Sequence, residues 1–223
     1  MVPAAEGAFA PRRTPARTES HPTGSTAVRI ALVGAYGAGK TTLISAATAR
    51  VGLPAAHGTP MRDPVGSRRP TSLEEATEPE LIQLVVRRHA ERLLAEAAYP
   101  KGFISDGSLL HEWVYATVRL AVGLHPRIGQ DVEAGPGTGD LYRTVLDHLG
   151  REFLHRALTS YDVFVHLPVE FPLHDDTPPI AEHFRVLSDR LLLDTLHAAG
   201  APVRTVSGPL DDRLAALVAL TGA

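Results

Sequence analysis

Hydrophobic and polar positions follow two rhythms along this chain, and the switches between them predict its elements. Val28 to Val33 (VRIALV) is a short apolar run closed by Gly34, the pattern of a buried strand. Helix-compatible sequence runs from Lys40 to Arg50, and a second strand is predicted around Leu53–His57, weakened by Pro54. Residues 58–71 carry Pro60, Pro64, Gly66 and Pro70 and read as a loop. From Glu78 to Ala98 apolar residues return with helical spacing, and Ile82, Val86, Ala90, Leu93 and Ala97 share one predicted face. Pro79 suits the first turn of that helix, and Pro100 stops it.

The alternation continues. Gly102 to Asp106 is a strand ending in a carboxylate, and a helix is predicted from about Ser108 to Val122. Residues 123–139 are rich in Gly and Pro and read as a loop. Leu141, Val145, Leu149, Phe153 and Ala157 mark the next amphipathic helix, and Tyr161 to Leu167 the next strand. Residues 168–179 hold four prolines, Ile180 to Ala199 is helical and closes at Gly200, and Pro202–Val206 and Leu210–Leu220 supply a last strand and helix. Five strands alternating with helices predict an α/β fold, a doubly wound, mostly parallel five-stranded sheet flanked by helices. The residues before about 27 have no hydrophobic period, so residues 1–26 read as a disordered tail and 27–223 as one domain.

The turn after the first strand carries the chemistry. Gly34-Ala35-Tyr36-Gly37-Ala38-Gly39-Lys40-Thr41 matches G-x-x-x-x-G-K-[ST] between a strand and a helix, the context the motif needs. Glycine lets the backbone turn with positive φ and approach a ligand, so that successive N–H groups converge on phosphate oxygens. The following helix adds the positive end of its dipole. Gly34 to Thr42 is therefore the predicted nucleotide-binding loop, with Lys40 reaching the β/γ-phosphates of ATP and Thr41 a ligand of Mg²⁺. Only two lysines occur, Lys40 and Lys101, and one of them occupies the position where the motif demands it.

Two carboxylates join the list. Asp106 ends a predicted strand beside this loop, where a Mg²⁺-organising carboxylate belongs; the alternative is a turn or N-cap before Ser108. Asp63 follows the second strand, where it either accepts the proton of an attacking hydroxyl or makes an Asx turn before Pro64. Its neighbour Arg62 either binds a substrate anion or is solvated. Trp113 and Tyr115 read as core or as the wall of a substrate pocket. His174-Asp175-Asp176 reads as a solvated loop tip rather than a metal site, and His111-Glu112 does not continue into H-E-x-x-H.

Composition narrows the class. The absence of cysteine excludes a disulfide scaffold, a thiol nucleophile and a Cys-ligated metal. Net charge is −3, which gives no basic footprint for nucleic acid; no apolar run approaches a membrane span, and a cytoplasmic location is expected. No N-K-x-D element of a Ras-like GTPase and no L-S-G-G-Q signature is present.

With these motifs in place, the chain resembles the small P-loop ATPases and kinases that include thymidylate-kinase-like and nicotinamide-riboside-kinase-like proteins, among them actinobacterial members known as AAA-family ATP-binding proteins. The likeness spans residues 28–220. It rests on Gly34–Thr42, on FISDGSLL at Phe103–Leu110 with Tyr115, on YDVFVHLP at Tyr161–Pro168, and on Phe184-Arg185, Asp189 and Val206-Ser207-Gly208. It implies a P-loop kinase with ATP and Mg²⁺ as cofactors and a small-molecule phosphate acceptor, a nucleoside, nucleotide or related metabolite. It implies Asp106 near Mg²⁺, residues 168–185 as a lid, Ser207-Gly208-Pro209 beside the adenine, and one of Arg185, Arg190 and Arg213 at the phosphates or the base. Arg185 is the arginine assigned to catalysis, with Lys40, Asp63 and Asp106; Arg62, Asp63 and Trp113 are assigned to the acceptor. Gly107 departs from the resemblance, standing where such kinases carry arginine. The fold implied permits a homodimer, and the competing reading is a nucleotide-dependent switch with slow ATPase activity.

Overall fold

The computed structural model describes residues 28–56, 76–132, 141–173 and 180–221. The expected tail, residues 1–26, lies outside them, as do Arg62, Asp63 and His174 to Asp176. Five parallel strands form one sheet: β1 (Arg29–Val33), β2 (Ala55–Ala56), β3 (Phe103–Asp106), β4 (Val163–His166) and β5 (Val203–Thr205). Their spatial order is β2-β3-β1-β4-β5, so the first strand sits in the middle. The register sets Leu32 beside Asp106 and Val33 beside His166, which puts polar groups from both neighbours at the carboxyl end of β1.

Pleating divides the core between the two faces of the sheet. Ile30 and Leu32 point to one side with Ile104 and Val165, and pack against Leu43, Ile44 and Ala47 of α1 (Lys40–Val51) and Leu214 and Leu217 of α6 (Leu210–Thr221). Ala31, Val33, Phe103 and Phe164 point to the other. That side is covered by α2 (Glu78–Ala97), α3 (His111–Val122), α4 (Leu141–Ser160) and α5 (Glu182–Ala198). Burial on both faces is why these strands read as continuous apolar runs rather than alternating ones.

Helix α2 departs from expectation in which face it buries. Its N-terminus is a capping box, with the Thr77 N–H donating to the Glu80 carboxylate at 2.9 Å, and Pro79 lies in the first turn as predicted. The buried stripe, however, is Leu81, Leu84, Val85, Arg88, Arg92 and Glu96, while Val86 is 46% exposed and Ala90 and Ala97 face outward. Arg92 and Glu96 occupy the stripe with polar partners inside, and Arg88 pairs with Glu91 on its own helix, a condition that apolar periodicity does not register.

Trp113 is the joint between α3 and α4. Its indole N–H donates to the Leu146 carbonyl at 2.9 Å, and a Cβ built on Gly150 would stand 2.4 Å from the ring, so glycine permits the close approach. Of the two readings for Trp113, its placement agrees with the core.

Candidate active site

The loop between β1 and α1 is shaped by backbone constraints that only certain residues meet. Gly34 has φ +141°, and a Cβ there would lie 2.4 Å from the Leu167 carbonyl oxygen. Gly39 caps α1 in the left-handed region. Lys40 opens the helix and folds back, its Nζ donating to the Gly34 carbonyl at 2.7 Å and the Ala35 carbonyl at 2.8 Å. Burial pulls the Lys40 ammonium down to a pKa of about 8, against the opposing pull of the Asp106 and Asp189 carboxylates.

Thr41 and Asp106 meet across the β1–β3 boundary: the Thr41 hydroxyl donates to Asp106 Oδ2 at 2.7 Å. Two hard oxygen donors, side by side next to a phosphate-binding ammonium, match what Mg²⁺ takes from protein in nucleotide sites. Behind Asp106 lies a polar network. Arg92 of α2 donates from Nη1 to the Asp106 carbonyl at 2.8 Å and from Nη2 to Glu112 Oε1 at 3.2 Å. Glu96 accepts from the Ser105 hydroxyl at 2.6 Å and the Tyr161 hydroxyl at 2.7 Å. Burial raises the Glu96 carboxyl above its ordinary range, its hydrogen bonds only partly offsetting this. Gly107 has φ +107°, and a Cβ built there would stand 3.1 Å from Arg92 Nη2. An arginine arriving from α2 thus fills the space beside Gly107, the position at which the resemblance puts arginine in the strand-end motif.

Two buried arginines hold the other flank of the loop. Arg185 of α5 donates from Nε to the Tyr36 carbonyl at 2.7 Å and from Nη1 to the Phe171 carbonyl at 3.1 Å and to Glu182. Its Nη2 is buried with no hydrogen-bond partner among the described residues and lies 3.5 Å from a Cβ built on Gly37. Arg213 of α6 donates to the Gly208 carbonyl at 2.7 Å, the Ala38 carbonyl at 2.9 Å and the Glu170 carboxylate. The Gly208 N–H also donates to Glu170, at 3.1 Å. Gly208 and its neighbours Ser207 and Pro209 are thereby tied, through one guanidinium, to the phosphate loop. Arg190 does not reach the site; it pairs with Asp131 at 2.8 Å on the surface.

Residue patterns alone missed the Arg92–Glu112 pair, the Glu170–Arg213 pair, and the contact of His166 Nε2 with Asp189 at 3.0 Å. The one available signal for Arg92 was its helical spacing from Leu81, Val85 and Arg88.

Strand order, strand-end carboxylate and glycine-rich loop together define a P-loop NTPase fold. The particular family follows from the sequence: residues 29–213 match the model of an AAA domain family, and the chain belongs to it. No curated protein matches the sequence significantly. Among solved structures, the chain is similar to deoxyadenosine kinase from M. mycoides with bound dATP, at 14% identity and TM-score 0.61, over 87% of this chain and 100% of that one. The same kinase with the products dCMP and a flexible dCDP matches at 16% identity and TM-score 0.58, and with dCTP at 15% and 0.57; each pairing covers 87% of this chain and 98% of the other. These likenesses concern the fold. Among the described residues, no helix is long and apolar enough to cross a membrane.

Proposed function

We propose that this protein is an ATP- and Mg²⁺-dependent phosphotransferase acting on a hydroxyl of a small molecule, with a nucleoside, nucleotide or related metabolite as the best class of acceptor. The observation that carries this reading is the convergence of Lys40, the Thr41–Asp106 pair and the buried Arg185 on one loop. Its support from outside the chain is the likeness in fold to a deoxyadenosine kinase.

Each group has a task. The loop amides and Lys40 hold the β- and γ-phosphates of ATP. Thr41 and Asp106 would hold Mg²⁺, which when bound neutralises charge on the phosphate oxygens. Arg185 Nη2, without a hydrogen-bond partner among the described residues, would offer its donors to the transferring phosphoryl group. The acceptor oxygen attacks the γ-phosphorus, the bond from that phosphorus to the β,γ-bridging oxygen breaks, and ADP leaves. Asp63, argued from sequence alone, takes the acceptor proton, and Arg62 holds the acceptor. Positioning and charge neutralisation account for the chemistry without a covalent enzyme intermediate.

The test is product analysis under single-turnover conditions with labelled ATP and a panel of nucleosides, nucleotides and related hydroxyl compounds. Label on at least one organic acceptor is the expected result. Label appearing only in inorganic phosphate, whatever is offered, would overturn the kinase reading in favour of a slow ATPase switch.

A further inference from the structure

Glu112, in the first turn of α3, has no part in the phosphotransfer scheme above, yet it is 6% exposed and stands one guanidinium away from the proposed Mg²⁺ ligand Asp106. The link is Arg92, itself buried. Its Nη1 donates to the Asp106 carbonyl at 2.8 Å and to the Ser105 hydroxyl at 3.3 Å, and its Nη2 donates to Glu112 Oε1 at 3.2 Å. Asp106 in turn accepts from the Thr41 hydroxyl at 2.7 Å.

As a clamp, the Arg92–Glu112 contact is poorly built. The strongest carboxylate grip on a guanidinium uses both oxygens. Here Oε1 makes one contact at 3.2 Å, and Oε2 is buried with no hydrogen-bond partner among the described residues. What such a group supplies is chiefly charge, and it does so away from water, where charge acts most strongly.

That charge has a task. Arg92 holds the main chain of Asp106 through a gap that Gly107 keeps open. The arrangement buries a full positive charge within hydrogen-bonding distance of a residue that is to hold a divalent cation. Uncompensated, this charge would repel Mg²⁺ and favour the anionic, metal-free nucleotide. Glu112 cancels it. Glu96, one turn along α2, is committed elsewhere, its Oε1 accepting from the Ser105 and Tyr161 hydroxyls.

We propose that Glu112 is a positioning residue for Mg²⁺, whose carboxylate neutralises Arg92 so that the arginine can hold Asp106 without weakening the cation site. The inference rests on the reading of Thr41 and Asp106 as the Mg²⁺ ligands of an ATP site.

The experiment is calorimetry with the β,γ-imido analogue of ATP, in excess Mg²⁺ and in EDTA. The proteins are wild type, Glu112→Gln, Arg92→Met and the Arg92→Met/Glu112→Gln double variant. The quantity read is the gain in affinity that Mg²⁺ confers, the ratio of the two measurements. Glu112→Gln should lower that gain about tenfold, while affinity in EDTA stays at the wild-type value or rises. The double variant removes both charges at similar volume, an exchange that buried ion pairs often tolerate, and should recover most of the gain. A merely structural carboxylate behaves differently: Glu112→Gln would lose affinity alike in both buffers, and the double variant would restore nothing. Either result overturns the proposal, as does a wild-type gain in Glu112→Gln. If Glu112→Gln does not fold, Arg92→Met is compared with the double variant, from which it differs only in the residue at 112. The gain should then be several-fold larger in Arg92→Met, and an equal or smaller gain overturns the proposal. Failure of wild type to bind the analogue in either buffer, or to gain from Mg²⁺, overturns the ATP–Mg²⁺ reading itself and this inference with it.

Discussion

Arg185 and Arg213 reach the phosphate loop from different helices and make the same kind of contact, guanidinium to main-chain carbonyl, yet they are spent differently. Arg213 has a partner on each of its three nitrogens: Gly208, Ala38 and Glu170. Arg185 has partners on two, and among the described residues its Nη2 has none, buried beside Gly37 of the loop. A guanidinium bonded through every nitrogen fixes the shape of its surroundings and leaves no nitrogen wholly uncommitted. A partly paired one is held rigidly in place while keeping donors for an incoming anion, which is the condition for preorganised charge stabilisation. The comparison separates two arginines that identity, charge and burial do not, and the proposed function gives the partly paired one the phosphoryl group.

Both arginines also tie the first residues after β4 to the loop, through Phe171 and Glu170 respectively. Within the stretch 168–185, Glu170, Phe171 and Arg185 are thus held by hydrogen bonds.

The largest expected effect tests the loop that both arginines serve. Lys40→Ala should lower ATP affinity or turnover by orders of magnitude, roughly 10² or more, while the far-ultraviolet circular dichroism stays native. Lys40 contributes charge to a ligand rather than packing to the core. Unchanged ATP binding and turnover would remove the site.

The next effect divides the two arginines. Arg185→Lys keeps a positive charge but loses the fork of donors, and should reduce the rate of transfer by about 10²-fold with a smaller change in KM for ATP. Arg213→Lys should act the other way, raising KM for ATP and lowering the thermal midpoint while the transfer rate stays within a few-fold of wild type. Steady-state kinetics on both variants decide it. Equal losses of kcat would show that the spare Nη2 has no special role.

What could be read from sequence follows the distance over which the interactions act. The P-loop was legible because its chemistry lies in one contiguous segment, where spacing alone orders the glycines, Lys40 and Thr41. Strand order around it was not readable from spacing, but the alternation of apolar runs and helices sufficed for the parallel α/β class. Asp106 was legible because a carboxylate ended a strand. The different pairing of Arg185 and Arg213 was hidden: their contacts with Tyr36 and Ala38 span 149 and 175 residues. Helix α2 shows the opposite failure. Its apolar positions were plain, but Arg92 and Glu96 took the inner face because polar partners awaited them there.

The smallest expected effect probes the frame alone. The Arg213 guanidinium, and after it the Gly208 N–H, hold the Glu170 carboxyl below its ordinary pKa. A carboxylate stabilised in the folded state contributes stability above its unfolded pKa, about 4.3 for Glu, and that contribution fades as pH falls through the lower folded value. Glu170→Gln should therefore melt slightly below wild type at pH 7, and the difference should shrink steadily on acidification below pH 4. Glu170 is partly exposed, so added salt should narrow the gap as well. A gap that is constant with pH would mean that Glu170 acts through shape rather than charge. The charge pairing at Arg213 Nη2 would then add nothing to the two carbonyl contacts of that guanidinium, and the contrast with Arg185, drawn at this nitrogen, would lose its basis.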